Sequence, residues 1–300
     1  MNSLRILSLL PAATEMVYLL GLEKYLVGVS HECDYPPQAK LKPKVTSSLV
    51  SNAMSSKEID EKVKKGIHRG PGIFHIKEGI LKDLRPNLIL TQELCEVCAI
   101  SPPVILRSKA TKNLKIISLE PESVDDILEN ILLVGQLTDR RQQAKKVVNG
   151  LEKRLLLLRQ AQDRNDGKRL GVLVIEWLDP IMVAGHWIPE MVDIAGGVNL
   201  MSKPGEKSKK IKLHQITTSK LGILIISPCG FDIQRTINEK KLIEKIVRIV
   251  GEVRVYIMDG NAYMTRPGPR IVDGIEVLAE ILYPNIFPKK HSNKDWILFK

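Results

Sequence analysis

Side chains that could hold a metal ion or do thiol chemistry are concentrated in two short stretches, HECD at residues 31–34 and the C-x-x-C pair at residues 95–98. A C-x-x-C pair is typical of half a metal site, of a redox pair, or of two buried thiols whose spacing is coincidental. A zinc site normally needs a second close pair, and Cys33 and Cys229 are each isolated in the sequence. These alternatives stay open for the candidate metal ligands, which are Cys33, Cys95, Cys98 and Cys229.

The other candidate residues belong to turns that follow predicted strands. Ligands of open α/β sheets bind beyond the carboxyl ends of the strands. Two of the three tryptophans and all four cysteines fall in such turns, although both residue types prefer burial. The pattern indicates a ligand site, and the alternative is that each turn packs its own Cys or Trp beneath a neighbouring helix. The predicted ligand-binding residues are Thr14, Glu15, His31, Glu32, Asp34, Tyr35, Gln92, Glu93, Trp177, Asp179, His186, Trp187, Phe231, Asn261, Tyr263 and Arg266.

Alternating strands and helices position these turns in both halves of the chain. Strands are predicted at 4–10, 26–30, 87–91 and 114–119, and again at 169–175, 181–184, 222–227 and 253–258. Helices are predicted at 12–20, 56–67, 77–84 and 102–110, and again at 189–195, 232–249 and 268–282. A marginal strand is predicted near 44–46. This alternation is typical of parallel sheets with helical crossovers.

The stretch from Glu122 to about Asp163 has helical periodicity and no strand signal. Its second part, about 24 residues, would form a rod of about 36 Å. The sequence therefore predicts an α/β protein of two lobes, each with a central, mostly parallel sheet flanked by helices, joined by a single long backbone helix. The expected divisions are an N-terminal lobe at 1–121, the last helix of that lobe and the connecting helix at 122–163, a C-terminal lobe at 164–288 and a basic tail at 289–300.

Composition and motifs exclude several classes of function. The 300 residues carry a formal net charge of +11, but much of it lies in Lys-rich stretches at 203–212 and 289–294 that lack interleaved aromatic residues, so nucleic acid is not an expected partner. No apolar run reaches the 18 residues that indicate membrane insertion, and no phosphate-binding glycine loop or GxSxG elbow is present. The beginning of the chain shows no secretory signal, which predicts a cytoplasmic protein, and we expect a monomer.

Six segments together resemble a known family. They are RILSLLPAATEMVYLLGL, HECDYPP, DLRPNLILTQ, AGHWIPEMVDIAGG, SPCGFD and DGNAYMTRPGPR. In this order they resemble the vitamin B12-binding and iron-siderophore-binding periplasmic binding proteins of ABC importers, over roughly residues 4–288. The resemblance implies that a corrinoid such as cobalamin, or a related metal chelate, is held in a cleft between two lobes, without catalysis.

Roles for the candidate residues follow from that ligand. Flat macrocycles stack on aromatic rings, which predicts aromatic walls from Trp177, Trp187, Phe231 and Tyr263. Carboxylates and amides would hydrogen-bond the polar edges of the ligand, and these are Glu32, Asp34, Glu93, Asp179 and Asn261. A thiolate or neutral imidazole could reach the metal, from one of the four cysteines, His31 or His186; whether the protein binds a metal directly is left open.

Two departures from the family led us to doubt an ABC permease as partner. Exported members dock through an acidic residue on each lobe, and the matching positions here are near Gly79, beside Glu78, and at His214. The chain also begins at the first strand. The alternative to a binding protein is a cytosolic thiol- or metal-dependent enzyme or redox protein that uses Cys95 and Cys98. A third hypothesis is an importer component that is exported by an unrecognised route.

Overall fold

The computed structural model describes residues 4–51, 53–68, 73–93, 105, 114–162, 169–216 and 219–300. The chain forms two compact units. The first comprises Met1–Ser51, Glu58–Pro121 and Asp125–Val148. The second comprises Asn52–Lys57, Glu122–Val124 and Asn149–Lys300. The boundary after Val148 lies inside the long helix, whereas the sequence-based division set apart the last helix of the N-terminal lobe and the connecting helix as 122–163.

The first unit contains a four-stranded parallel sheet in the order β2 (Leu26–Val29), β1 (Ile6–Ser8), β5 (Leu88–Thr91) and β6 (Lys115–Ser118). Its strands are short and almost wholly apolar, as expected for a sheet covered on both faces. Helix α1 begins at Pro11, a residue suited to the first turn because it has no N–H to leave unpaired. From the start of the chain to the long helix, the elements are β1 (Ile6–Ser8), α1 (Pro11–Leu19), β2 (Leu26–Val29), β3 (Thr46–Ser48), α2 (Ser56–His68), β4 (Phe74–Ile76), α3 (Glu78–Leu84), β5 (Leu88–Thr91), β6 (Lys115–Ser118), α4 (Val124–Leu137) and α5 (Arg141–Gln162).

One feature of this part differs from the prediction. Strands β3 and β4 pair antiparallel, with Thr46 opposite Ile76, whereas only a marginal strand near 44–46 was expected. The helical stretch has two parts, as predicted, and Asp139, whose φ is 56°, lies between α4 and α5. Helix α5 then has 22 residues, about 33 Å at 1.5 Å per residue.

The second unit is built on a seven-stranded sheet. Its order is β10 (Lys209–Lys210), β8 (Ile181–Val183), β7 (Gly171–Leu178), β11 (Leu221–Ile226), β12 (Arg254–Met258) and β13 (Trp296–Leu298), and β9 (Val198–Asn199) also pairs with β7. Strands β7, β11 and β12 run parallel in its centre, and β8, β10 and β13 add antiparallel edges. The remaining elements are β7 (Gly171–Leu178), β8 (Ile181–Val183), α6 (Ile188–Ile194), β9 (Val198–Asn199), β10 (Lys209–Lys210), β11 (Leu221–Ile226), α7 (Ile233–Ile237), α8 (Lys240–Val250), β12 (Arg254–Met258), α9 (Ile271–Leu282) and β13 (Trp296–Leu298). The predicted α/β class with mostly parallel sheets is confirmed.

Helices α7 and α8 replace the single helix expected at 232–249. Asp232 caps α7, because its Oδ1 accepts a hydrogen bond of 2.7 Å from the backbone N–H of Arg235, and the chain then bends before α8. Helix α8 buries Ile243, Ile246 and Val250 in the core of the second unit. Spacings of three and four residues place these side chains on one helical face.

The end of the chain is more ordered than the predicted basic tail at 289–300. Residues Trp296–Leu298 form β13, which pairs antiparallel with β12 so that Met258 lies opposite Trp296. The apolar run at 296–299, WILF, is at the lower limit of length for a strand and shows no alternation, so the sequence did not clearly indicate this strand. Among the described residues, no helix combines the length and apolar character needed to cross a membrane.

Candidate functional site

The turn after β12, residues 259–266, is the centre of the candidate site in the second unit. Asp259 begins it, and its Oδ1 accepts a hydrogen bond of 2.7 Å from the backbone N–H of Ala262. A single π-type helical turn, Gly260–Met264, follows. A Cβ at Gly260 would overlap the carbonyl group of Pro228, so only glycine allows the turn to approach the end of β11 this closely.

Backbone and indole hydrogen bonds join this 259–266 turn to two other turns. The N–H groups of Gly260 and Asn261 donate to the carbonyl oxygen of Phe231 at 3.0 and 3.1 Å. The indole Nε1 of Trp187 donates to the carbonyl oxygen of Met264 at 2.8 Å. The turns that follow β8, β11 and β12 therefore meet at one place. The strand-end rule predicts this for the parallel neighbours β11 and β12, whereas β8 is antiparallel and its turn is joined to them by the indole bond of Trp187.

The aromatic residues predicted as walls lie mostly inside this structure. Trp177 and Phe231 have ring centroids 5.2 Å apart with planes at 51°, and the guanidinium of Arg235 lies 4.0 Å from the Phe231 ring centre. Trp177, Trp187 and Phe231 are 9%, 6% and 3% exposed. They form the base on which the turns rest, and only small parts of their rings remain accessible.

Polar groups of the 259–266 turn are tied to one another. Arg266, which is buried, donates from Nη2 to Oδ1 of Asn261 at 2.7 Å. Burial raises the pKa of Asp259 to about 6, and the nearby charge of Asp232 adds to the rise, while the bond from Ala262 and the charges of Arg266 and Arg270 oppose it. Tyr263 donates its hydroxyl to Oδ1 of Asp295 at 2.6 Å. Burial, and then this bond, raise the pKa of Tyr263.

His186 has the left-handed backbone conformation, with φ of 54°. Its N–H donates to the carbonyl of Glu206 at 2.6 Å, and its carbonyl accepts from the N–H of Gly205 at 2.9 Å, so the 203–212 segment holds it in place. Burial lowers the pKa of His186, and Lys207 lowers it further against the opposing effect of Glu122. A neutral imidazole is therefore favoured at neutral pH, the form that can ligate a metal.

In the first unit, His31 is held by the β3 strand that the sequence did not clearly indicate. Its ring Nδ1 lies 2.6 Å from Oγ1 of Thr46, and its backbone N–H donates to the same oxygen at 2.9 Å. Its Nε2 lies 3.1 Å from Oε1 of Glu32, and its ring packs against Phe74. His31 and Asp34 are half-buried, whereas Glu32 and Tyr35 are exposed.

Cys33 lies in a buried polar network beneath the same turn. The hydroxyl of Thr14 lies 3.0 Å from its Sγ and 2.8 Å from Oγ of Ser8, and the Ser30 hydroxyl lies 3.2 Å from Sγ. Burial is the main cause that raises the pKa of the Cys33 thiol, although these hydrogen bonds lower it. Three other candidates are also buried, namely Thr14, Glu15 and Gln92.

The predicted metal site receives no support from the part of the chain that the structure describes. Cys95 and Cys98 lie outside it, Cys33 is enclosed, and Cys229 is half-buried. Among the described residues, no three His, Cys, Asp or Glu side chains form a group suited to a metal ion. The cysteine assignment stays a prediction.

The remaining candidates are less constrained. Glu93 is exposed, and its backbone N–H donates to Oε1 of Glu120 at 2.6 Å. The half-buried Asp179 accepts at its backbone carbonyl from Nε1 of Trp177 at 3.2 Å. Sequence reasoning missed Asp259 and Asp295. The strand-end rule could have found Asp259, which directly follows a predicted strand, whereas no local pattern marks Asp295.

Three strand-end turns of the second unit meet in a compact polar and aromatic surface. Such a surface is typical of a ligand-binding protein, and comparison with known proteins identifies its family. The periplasmic binding protein model matches residues 6–249, so the chain belongs to the periplasmic binding protein family. The family resemblance inferred from the motifs is confirmed.

Individual relatives agree with this assignment. A vitamin B12-binding protein of Vibrio cholerae is 24% identical over 278 residues, 93% of this chain and 88% of the relative. An uncharacterized ABC transporter substrate-binding lipoprotein of Bacillus subtilis is 24% identical over 288 residues, 94% of this chain and 81% of the relative. The apo structure of a periplasmic heme-binding protein from Roseiflexus superposes with a TM-score of 0.70, at 20% identity, over 95% of this chain and all of that one.

These findings correct the prediction of a cytoplasmic protein, which is wrong. The family is periplasmic, and its Bacillus relative is a lipoprotein. The prediction was based on the first residues of the chain. The compartment is instead inferred from the family, whose members are periplasmic binding proteins. The doubt about an ABC permease, drawn from Gly79 and His214, gains no support. The enzyme alternative gains none either, because the named relatives are binding proteins.

Proposed function

We propose that this protein binds a corrinoid, cobalamin or a close relative of it, as the substrate-binding component of an ABC importer. The observation that carries the proposal is the meeting of three strand-end turns around residues 259–266, in a chain that aligns over 93% of its length with a vitamin B12-binding protein. A rigid surface of this kind suits a large, rigid ligand, because little ordering entropy is then lost on binding.

The groups best placed to contact the ligand are those that the structure leaves partly exposed. In the second unit these include Asn261, His186 and Asp179, each half-buried. The rings of Trp187 and Phe231 support them from below and offer a narrow apolar contact. Corrinoid side chains are rich in amides, which pair well with amide and carboxylate groups of the protein.

His186 has a specific role within this proposal. Its neutral imidazole could approach the cobalt of a corrinoid that has lost its lower ligand, since imidazole nitrogen is a ligand suited to transition metals. The same group could also donate or accept a hydrogen bond. Replacing His186 by Gln would keep hydrogen bonding and remove a nitrogen ligand, so the two roles are separable by the absorption spectrum of the bound corrinoid.

The deciding experiment is a calorimetric titration of the purified protein with cobalamin, with haemin and a ferric hydroxamate siderophore as comparators. We expect saturable one-to-one binding of cobalamin, weakened in Asn261→Ala and unchanged in Asn238→Ala, which alters an exposed residue at the end of α7. Binding of haemin without binding of cobalamin would show that the ligand is a haem and not a corrinoid. Binding of none of the three would reject the corrinoid proposal.

The importer role needs its own test. The Bacillus relative is named as a substrate-binding lipoprotein of an ABC transporter, and the proposal extends that role to this chain. Co-purification with an ABC permease, dependent on the ligand or on ATP hydrolysis, is expected. Variants at the exposed positions Glu78 and His214 would show whether these two faces carry the contact.

A further inference from the structure

The last twelve residues, 289–300, which we call the C-terminal strap, are anchored on a buried carboxylate. Glu280 of α9 is 3% exposed. Its carboxylate accepts from the backbone N–H of Lys290 at 2.9 Å and from the indole of Trp296 at 3.1 Å, and lies 2.8 Å from Nδ1 of His291. A buried carboxylate is stable only when such donors satisfy it, and here all three come from the strap. Glu280 therefore fixes the strap against α9.

The strap in turn holds the 259–266 turn. The backbone carbonyl of Asp295 accepts from the N–H of Asp259 at 2.9 Å, and its Oδ1 accepts from the hydroxyl of Tyr263 at 2.6 Å. Its Oδ2 accepts from the N–H and hydroxyl of Ser292 at 2.7 and 2.8 Å, which orients the carboxylate. One residue thus binds the turn through both backbone and side chain.

The position of Asp295 follows from the pairing of the last two strands. Met258 lies opposite Trp296, so Asp295 is next to the residue that begins the turn. On the other side, the turn is bound to the carbonyl of Phe231. The 259–266 turn is therefore held between the body of the unit and the strap, and its conformation depends on both.

We propose that Asp295 is a positioning residue for the ligand site, and that it acts through Tyr263 on the 259–266 turn. Tyr263 then serves as a brace whose hydroxyl faces the strap, and the half-buried Asn261, held by the buried Arg266, is the group presented to the ligand. This inference rests on the proposed function only for the statement that the turn contacts a ligand. That the strap fixes the turn is independent of any ligand.

The first test follows hydrogen–deuterium exchange of a peptide covering 259–266 in the ligand-free protein. Asp295→Ala and Tyr263→Phe each should raise exchange there by about tenfold, the effect of losing one hydrogen bond to a charged group. Asp295→Asn keeps an acceptor oxygen and should restore protection in part. The matched control is Leu298→Ala, an exposed position at the far end of β13 opposite Tyr256, which should leave the peptide protected.

The second test measures cobalamin affinity of the same variants. Tyr263→Phe and Asp295→Ala should each weaken binding by about five- to tenfold, and the double variant should be no weaker than the worse single one, because both remove the same bond. Leu298→Ala should bind like the parent even where its melting temperature falls. Normal exchange at 259–266 in both single variants would overturn the positioning role. If exchange rises as expected but the parent binds no cobalamin, the corrinoid proposal is rejected, whereas the positioning of the 259–266 turn by Asp295 and Tyr263 is supported.

Discussion

The carboxylate of Glu239 binds Ser56, a residue 183 positions earlier in the chain. Oε1 accepts the backbone N–H of Ser56 at 2.6 Å, and Oε2 accepts its hydroxyl at 2.5 Å. Ser56 is the first residue of α2, where N–H groups have no partner within the helix. Glu239 therefore caps α2 in the way that a local side chain usually does, from the beginning of α8.

The same carboxylate organises its own neighbourhood. Glu239, whose side chain is 6% exposed, also pairs with Arg235 at 2.8 Å. Arg235 donates to the carbonyl of Met54 and lies over the ring of Phe231. The segment around residues 54–56 is thus connected to the aromatic base of the candidate site by direct contacts within the second unit.

We predict that Glu239→Ala lowers the free energy of unfolding by about 3 kcal/mol, because it removes the charged partner of the largely buried Arg235 and leaves the N-terminus of α2 without its cap. Urea denaturation measures the change. Glu244→Ala is the matched control, since Glu244 is partly exposed and its pair with Lys240 is 3.7 Å long, so it should cost less than about 1 kcal/mol. Equal effects of the two substitutions would contradict the capping role.

The raised pKa of Asp259 predicts a pH dependence of stability. The folded carboxyl, with its pKa of about 6, holds a proton that the unfolded chain releases near pH 4. The unfolding free energy therefore falls as pH rises through this window. Asp259→Asn removes this pH dependence. The free energy of unfolding of the variant, minus that of the parent, should therefore rise by about 2 kcal/mol between pH 4 and pH 7.

Thermal or urea unfolding of both proteins across that pH range provides the measurement. Asp232→Asn is an informative comparison, because the charge of Asp232 contributes to the raised pKa of Asp259. This variant should show a weaker pH dependence than the parent. A stability difference between parent and Asp259→Asn that stays constant with pH would refute the assignment.

Trp187→Phe tests the indole bond that joins two of the turns. The substitution keeps an aromatic ring but leaves the carbonyl of Met264 without its donor, at a cost of about 1–3 kcal/mol for a buried group. Cobalamin affinity should fall with it. Trp177→Phe is the comparison, because the indole of Trp177 makes a longer bond of 3.2 Å to Asp179, only two residues away. If both variants unfold and bind alike, the bond to Met264 does not define the site.

The two described cysteines should differ in reactivity. Cys33 is fully buried and its thiol pKa is raised, and only the thiolate reacts with alkylating reagents. Iodoacetamide at pH 8, followed by peptide mass spectrometry, should therefore modify the half-buried Cys229 well before Cys33. In urea both should react at similar rates. Early modification of Cys33 in the native protein would show that its turn opens readily.

Local sequence pattern determined the outline of this protein. Apolar runs of four to eight residues indicated the main strands, and periodicity indicated most described helices, because both patterns depend on neighbours in the chain. The rule that ligands bind beyond strand ends then brought together Phe231 and Asn261, since the parallel neighbours β11 and β12 end at the same edge. The ordered motifs identified the family.

What the pattern could not determine is set by pairing between distant residues. Glu239 caps Ser56, and Asp295 holds Tyr263, only because the folded chain brings them within hydrogen-bond distance. The burial of Trp177 and the formation of β13 in the Lys-rich end of the chain likewise depend on contacts between distant residues. A Lys-rich segment with a short apolar run does not specify a partner by itself. The position of residues 289–300 is determined by pairing with the edge of β12 and by hydrogen bonds to the buried carboxylate of Glu280.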